Sequence, residues 1–128
     1  MVTAQDFERI ALGFKGVVAS PHFGNVGYAV NRIFAVLAAD GTTANFKLSM
    51  EEQRFRCAIA GDTFSPVAGG WGRKGWTMAR FDRLSEAELT DALLTSWQHA
   101  RPKKPPKDPP KEPKTLQAAR NPRSPARR

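Results

Sequence analysis

The stretch "GYAVNRIFAVLAADG", residues 27–41, decides the fold because two turn signals bound one apolar run. Asn31 can take a positive φ between "GYAV" and "IFAVLAA", so Asn31–Arg32 is predicted to be a two-residue hairpin. Asp40–Gly41 is a second turn signal, and it precedes "ANFKLS", in which Phe46 and Leu48 alternate with polar residues. Strands joined by such short turns pair antiparallel. The stretch therefore predicts consecutive antiparallel strands.

Three helix starts lie outside this region, and each is marked by a hydroxyl residue three positions before an acid. The hydroxyl accepts N–H groups that the first helical turn leaves unpaired, and Ser-x-x-Glu is a complete capping box. The marking pairs are Thr3 with Asp6, Ser49 with Glu52, and Ser85 with Glu88. The predicted helices run from Ala4 to Leu12, from Met50 to about Ala60 and from Glu86 to about Ala100.

Each predicted helix has an apolar stripe that we assign to the core, and in the second helix the stripe is Phe55, Ala58 and Ile59. One further strand, "WTMARFD", begins at Trp76, and its alternation leaves open which of its two sides faces inward. The order is helix, three to four strands, helix, strand, helix. This order predicts an α+β fold, a two-layer sandwich with an antiparallel sheet and the helices on one face.

The composition changes at Pro102, where "PKKPPKDPPKEPK" begins. Residues 1–101 carry 11 Lys/Arg against 10 Asp/Glu and are predicted to form one domain. Residues 102–128 carry nine Lys/Arg, two acids and eight of the ten prolines, a net charge of +7. Such a segment has no residues fit to build a core, so a disordered, extended basic tail is predicted there.

Composition and spacing also exclude several kinds of site. Cys57 is the single cysteine, which excludes an internal disulfide and a cysteine-based zinc cluster. His22 and His99 have no metal-binding spacing, and Ser20 lies in no nucleophile motif. We therefore predict a non-enzymatic protein without catalytic residues, metal or cofactor. The longest apolar run is far shorter than the roughly 20 residues of a membrane span, and no secretory signal begins the chain. A cytoplasmic monomer or small homo-oligomer without a membrane partner is expected.

A family resemblance is carried by four segments in order, which are "ALGFKGVVASPHFGNVGYAVNRIFAVLAADG", "KLSMEEQ", "FSPVAGGWGRKGWTMARFD" and "LLTSWQHA". Together, over about residues 3–103, they resemble the MmcQ/YjbR family. The resemblance implies a two-layer α+β fold similar to type III secretion chaperones, a label of DNA-binding protein and no known enzymatic reaction. The chain departs from the family pattern at Phe14–Lys15–Gly16 and at Asn31–Arg32, neither of which threatens the fold. The basic tail lies outside the resemblance.

The stretch "GGWGRKGW", residues 69–76, is the candidate site within the predicted domain. Arg73 and Lys74 can contact two phosphates, the glycines permit close approach, and Trp71 or Trp76 can stack on an exposed base. The structural alternative is that the glycines supply turn dihedrals, the cations are solvated and Trp76 is a core residue, which is the interpretation we favour for Trp76. The Walker-loop spacing is not met.

The tail supplies the other predicted nucleic-acid contacts, because each cation that neutralises a phosphate releases a counterion. These residues are Lys103, Lys104, Lys107, Lys111, Lys114, Arg127 and Arg128. The alternative is a tail that only solubilises the protein.

Two functional hypotheses follow. The first is a sequence-tolerant nucleic-acid binder, with DNA as its partner, that uses the basic glycine-rich loop and the cationic tail. Because the domain has a net charge of only +1, Arg73 and Lys74 would have to lie beside other cations, such as Arg32, Lys47 or Arg80. The second is a protein-interaction or chaperone-like module, which predicts an exposed apolar patch on the sheet or on a helix.

Overall fold

The computed structural model of the chain describes residues 2–101. Its strands are β1 (Val18–His22), β2 (Asn25–Val30), β3 (Arg32–Leu37), β4 (Thr43–Lys47), β5 (Phe64–Pro66) and β6 (Trp76–Arg80). Its α-helices are α1 (Ala4–Leu12), α2 (Met50–Ile59), α3 (Gly70–Arg73) and α4 (Glu86–Ala100), and a short 3-10 helix spans Phe81–Arg83. The strands form one sheet in the order β1-β2-β3-β4-β6-β5, and every neighbouring pair is antiparallel. The predicted α+β class is confirmed.

The core lies between the sheet and the pair α1 and α4. Phe7 of α1 is fully buried, and its ring packs edge-on against Tyr28 of β2 with 5.3 Å between centroids. Its other aromatic neighbours, Phe46 and Phe81, lie 6.0 Å away. Leu93 of α4 is also fully buried in this cluster. Burying each such side chain contributes about 1.5 to 3 kcal/mol, so this contact layer holds the two helices on one face of the sheet.

Strand register separates the two faces of the sheet. Ala35 pairs with Phe46, and Phe46 pairs with Thr77, all buried on the core face. Val36 pairs with Asn45 on the opposite face, which we term the outer face. The alternation that the sequence left open in β6 is therefore decided, with Thr77, Ala79 and the following Phe81 buried.

The β2–β3 hairpin is tighter than the sequence predicted. Asn31 has the expected positive φ of 67°, but Arg32 already belongs to β3 and pairs with Val30. Side chains from this turn are tied to the end of α4, because Asn31 Nδ2 donates to the Ala100 carbonyl at 3.4 Å and Arg32 Nη2 donates to the His99 carbonyl at 3.0 Å. The predicted two-residue loop was therefore one residue too long.

The apolar stripe predicted for the core in α2 faces solvent instead, so that prediction was wrong. Phe55 and Ile59 are 58% and 67% exposed, and Ala58 is exposed as well. The buried residues of α2 are polar, namely Gln53 and Arg56. Both have partners on other elements that an apolar side chain could not bind, and these partners determine which side of the helix turns inward.

Arg56 joins α2 to α4. Its Nη2 lies 2.8 Å from Asp91 Oδ2 and donates to Thr95 Oγ1 at 3.1 Å. Its Nε lies 3.3 Å from Glu52 Oε1, which makes an ion pair without hydrogen-bond geometry. Glu52 is thus directed toward Arg56, and the predicted capping box at Ser49 is one-sided, with Ser49 Oγ accepting from the Glu52 N–H at 3.1 Å.

The caps at the two other long helices are reciprocal, at Thr3 with Asp6 and at Ser85 with Glu88. The sequence pattern does not predict three short elements, which are β5 with three residues, α3 with four and the 3-10 helix Phe81–Arg83 with three. None of the helices described for residues 2–101 is both long and apolar enough to span a bilayer. The predicted tail, residues 102–128, lies outside the described residues, so the boundary between domain and tail stays a prediction.

Candidate functional site

The outer face of the sheet carries an open groove of about 310 Å³. Strands β3 and β4 form its floor, with Ile33, Val36 and Asn45. The remaining residues come from the β1–β2 hairpin, from the segment between β5 and β6 and from the first position of β6, and they are His22, Phe23, Asn25, Val67, Trp71 and Trp76. Aromatic rings from two parts of the chain about 50 residues apart thus border one concave surface.

The candidate stretch 69–76 forms the short helix α3 and the turn after it. A Cβ on Gly75, whose φ is +102°, would overlap the Leu48 carbonyl oxygen, and one on Gly72 would overlap that of Val67. Both glycines are therefore required for close backbone packing, whatever the side chains around them do. The residues of this stretch that are free to meet a ligand are Trp71, Arg73 and Lys74, all of them exposed.

Gln53 of α2 holds this segment in place. Its Nε2 donates to the carbonyl oxygens of Gly72 at 2.9 Å and Trp76 at 3.0 Å, and to Thr77 Oγ1 at 3.2 Å. The Thr77 hydroxyl in turn donates to the Gly75 carbonyl at 3.0 Å. The two amide hydrogens of a glutamine are shared among three acceptors here, and the site is buried. The amide therefore fixes the position of one wall of the groove.

Trp71 and Trp76 line the groove together, and neither side chain is buried as a core residue would be. Trp71 is 63% exposed, and the Lys74 ammonium lies 5.7 Å from its ring centroid, a cation–π contact. Trp76 is half-buried on the outer face, so the prediction that it belongs to the core was wrong. The inward position in β6 is taken by Thr77, whose hydroxyl is needed in the Gln53 network.

Arg32, Lys47 and Lys74 form a cation cluster at one end of the strands. Burial lowers the pKa of Lys47 below its ordinary value, and the positive charges of Arg32 and Lys74 lower it further. Arg80 is not a member, because it lies at the other end of β6, paired with Asp82 at 2.8 Å. Of the three cations predicted to lie beside the 69–76 stretch, Lys47 is therefore close enough to Lys74 to feel its charge, and Arg32 joins the cluster through Lys47.

Acidic residues are segregated away from this surface. None of the ten acids in residues 1–101 lies in a described strand or in α3. Seven lie in α1, α2 and α4, Asp82 lies in the 3-10 helix Phe81–Arg83, and Asp40 and Asp62 lie in turns. The strands and α3 contain only cations among their charged residues, namely Arg32, Lys47, Arg73 and Arg80. The nearly neutral domain thus has an acidic helical layer and a basic sheet.

Several groove residues gave no local signal in the sequence. The sequence around His22 lacks catalytic or metal-binding spacing, and no local pattern marks Phe23 or Asn45 as contact residues. No group of three potential metal-ligating residues occurs within residues 2–101. Cys57 is half-buried, and burial raises the pKa of its thiol. The tail candidates lie outside the described residues, and they are Lys103, Lys104, Lys107, Lys111, Lys114, Arg127 and Arg128.

The YjbR family model matches residues 12–99, which include all six strands, the groove and the cation cluster. The chain belongs to the YjbR family. The resemblance inferred from the sequence is thereby confirmed, and the YjbR match covers the described residues except residues 2–11 and 100–101.

A solved structure supports the YjbR fold. The chain is similar to the crystal structure of Deinococcus radiodurans protein DR2400, which has a DUF419 domain, with a TM-score of 0.67 and 16% sequence identity. The similarity covers 76% of this chain and 77% of that one. At this identity it establishes the fold of the YjbR domain alone. No curated protein sequence matched the chain.

The Gln53 network predicts the effect of Gln53→Glu. A carboxylate at this position faces three acceptors and donates to none, so the free energy of unfolding is expected to fall by about 1 to 3 kcal/mol in urea denaturation. Gln5→Glu makes the same charge change at an exposed position of α1 and is expected to leave stability within about 0.5 kcal/mol. Equal stability of the two variants would show that the network does not hold α3.

The lowered pKa of Lys47 predicts that its charge opposes folding at neutral pH. Lys47→Met keeps most of the apolar stem and is expected to raise the free energy of unfolding by about 0.5 kcal/mol at about pH 7. The folded state loses the Lys47 proton at a lower pH than the unfolded state, so this difference is expected to shrink as the pH rises toward 10.5. Exposed Lys15, changed to Met, is the control, and a difference that stays constant with pH would contradict the assignment.

Proposed function

We propose that the chain is a non-enzymatic, sequence-tolerant DNA-binding protein that meets DNA with the outer face of its sheet. The segregation of charge carries the proposal. The cation cluster and Arg73 lie on a layer whose strands contain no acid, whereas the acids of the domain lie mostly in the helices. A DNA backbone approaching the outer face therefore meets cations without passing a competing carboxylate on the strands.

Repulsion within the cation cluster is a reason to expect an anionic ligand there. Lys47 is partly desolvated and feels the like charges of Arg32 and Lys74, which is why its pKa is lowered. A phosphate placed among the three would reverse both like-charge effects and favour the protonated amine. The Arg32 side chain is anchored by its bond to the His99 carbonyl, so the charge it adds beside Lys47 is fixed.

Sequence tolerance follows from the shape of the surface. Reading bases in a duplex requires an element that enters the major groove, usually a helix or a two-stranded ribbon. The outer face presents strands in a sheet and α3, which has only four residues. Contacts with phosphates position a protein on DNA and carry no sequence information of their own.

The tail strengthens the same interaction through its charge. Residues 102–128 hold +7 of the chain's formal net charge of +8, which attracts a polyanion at long range. No step of the proposal needs a catalytic group. Burial raises the pKa of the Cys57 thiol, which disfavours the nucleophilic thiolate.

We expect Arg73 and Lys74, at the end of α3, to contribute more to DNA binding than two cations elsewhere on the domain. In the full chain, Arg73→Gln combined with Lys74→Gln is expected to make the slope of log affinity against log salt shallower by about 1.4 for single strands or 1.8 for a duplex. The slope is measured by fluorescence anisotropy with labelled DNA across a salt series.

The matched control is Lys15→Gln combined with Arg54→Gln, which removes two positive charges from the connection after α1 and from α2. The Lys15 carbonyl accepts from Trp97 Nε1 of α4 at 3.0 Å, and Arg54 is an exposed residue of α2. The control is expected to change the slope by less than half as much. Equal changes in both variants would mean that net charge alone acts, and no DNA binding by the full chain would refute the proposal.

A second candidate function, a protein-interaction module, is favoured by the exposed apolar side of α2. Phe55 and Ile59 project into solvent at 58% and 67% exposure, with Ala58 between them. Exposed apolar residues that adjoin one another on a helix are typical of interaction surfaces. This is the kind of patch that the second hypothesis requires.

This candidate predicts that Phe55→Ser combined with Ile59→Ser changes association and not stability. The free energy of unfolding is expected to change by less than about 1 kcal/mol, because both side chains face solvent and helix propensities are similar. Leu93→Ala in the core is the contrast, with an expected loss of about 2 to 5 kcal/mol. Sedimentation velocity at rising concentration then compares the double variant with the unchanged chain, and identical monomeric profiles would dismiss self-association through α2.

A further inference from the structure

We propose that the groove on the outer face is a site for one unpaired nucleobase of single-stranded DNA. The inference rests on the proposed DNA binding and adds the form of DNA that the site takes. It comes from the lining of the groove, which offers stacking surfaces, amide groups and adjoining cations in one place.

The stacking surfaces are exposed aromatic rings. Trp71 and Phe23 are 63% and 93% exposed, and Trp76 and His22 lie deeper in the same groove. The ring of Phe23 rests edge-on against His22, with 4.8 Å between centroids. A nucleobase stacks on such rings whatever its identity, whereas in a duplex both faces of each base are covered by its neighbours. The rings therefore favour an unpaired base over a base pair.

Two amides lie among the rings. Among the described residues, the Asn45 side chain on the groove floor forms no hydrogen bond, so its donors and its acceptor are available to a ligand. Asn25 Oδ1 accepts from the Ala39 N–H at 3.0 Å, which orients the amide and leaves Nδ2 as a donor. An unpaired base presents donors and acceptors along its exposed edges, which these amides can bind.

Charge and size agree with a base flanked by phosphates. Lys47 pairs with Trp76 across β4 and β6, and Lys74 lies against Trp71, so each tryptophan has a cation beside it. A volume of about 310 Å³ lies at the small end of ligand pockets and suits one planar ring system. An apolar protein segment would fill the same groove without using these cations. Charge complementarity thus selects the nucleic acid.

The test uses the full chain, a labelled oligothymidine and a labelled duplex of the same length, with affinity read by anisotropy and stacking read by quenching of tryptophan fluorescence. Trp71→Ala is expected to weaken binding of the single strand by about 5-fold to 150-fold and binding of the duplex by less than about 3-fold. Trp71→Phe is expected to recover part of the loss. Phe55→Ala removes an equally exposed ring from α2 and is expected to change neither affinity.

The outcomes separate this inference from the proposed function. If Trp71→Ala weakens binding of the single strand and leaves binding of the duplex nearly unchanged, the base site is supported. If the chain binds both forms of DNA and Trp71→Ala lowers the two affinities equally, or lowers neither, the base site is overturned. Electrostatic DNA binding then still stands. If the chain binds neither form, both proposals fall. Because Trp71 is exposed, its variants are expected to unfold at the same urea concentration as the unchanged chain, which is checked first.

Discussion

The buried amide of Gln53 is the contact on which the outer surface depends. It binds Gly72, Trp76 and Thr77 at once, and in doing so it fixes α3 against the start of β6. The same contact determines the orientation of α2. With Gln53 and Arg56 turned inward, Phe55 and Ile59 are on the part of the helix that faces solvent. One polar interaction thus positions the α3 segment that carries Trp71 at the groove and leaves the apolar side of α2 exposed to solvent.

The two layers of the molecule meet opposite physical demands. In the helical layer polar groups have partners nearby: two helices have reciprocal caps, and Arg56 is bound to Asp91 and Thr95 of α4. The outer face is unfavourable in isolation, because like charges surround Lys47 and aromatic rings are exposed to water. The aromatic core between them, centred on Phe7, supplies the stability that lets the outer face keep this composition.

Local chemistry made most of the fold predictable, and distant polar contacts account for the errors. The helix caps and the positive φ of Asn31 depend on neighbours within a few residues, so the sequence pattern indicated them. The orientation of α2 depends on acceptors 19 to 39 residues further along, which apolar periodicity cannot register. Trp76 was misassigned for the same reason, since the inward position is decided by the Thr77 hydroxyl. The groove joins His22 to Trp71 and could be recognised only once the sheet had brought them together.

In the proposed complex, the tail and the sheet have different physical roles. The tail holds +7 of the net charge and so supplies most of the long-range attraction, but a run of charge by itself does not orient the domain. The domain has a net charge of only +1, yet its acids lie largely in the helices and its strands contain none. Such an uneven distribution exerts a torque near a polyanion, because the acidic layer is repelled while the cation cluster is attracted. Approach by the outer face, with the groove turned toward the DNA, follows from this distribution even though the domain is almost neutral.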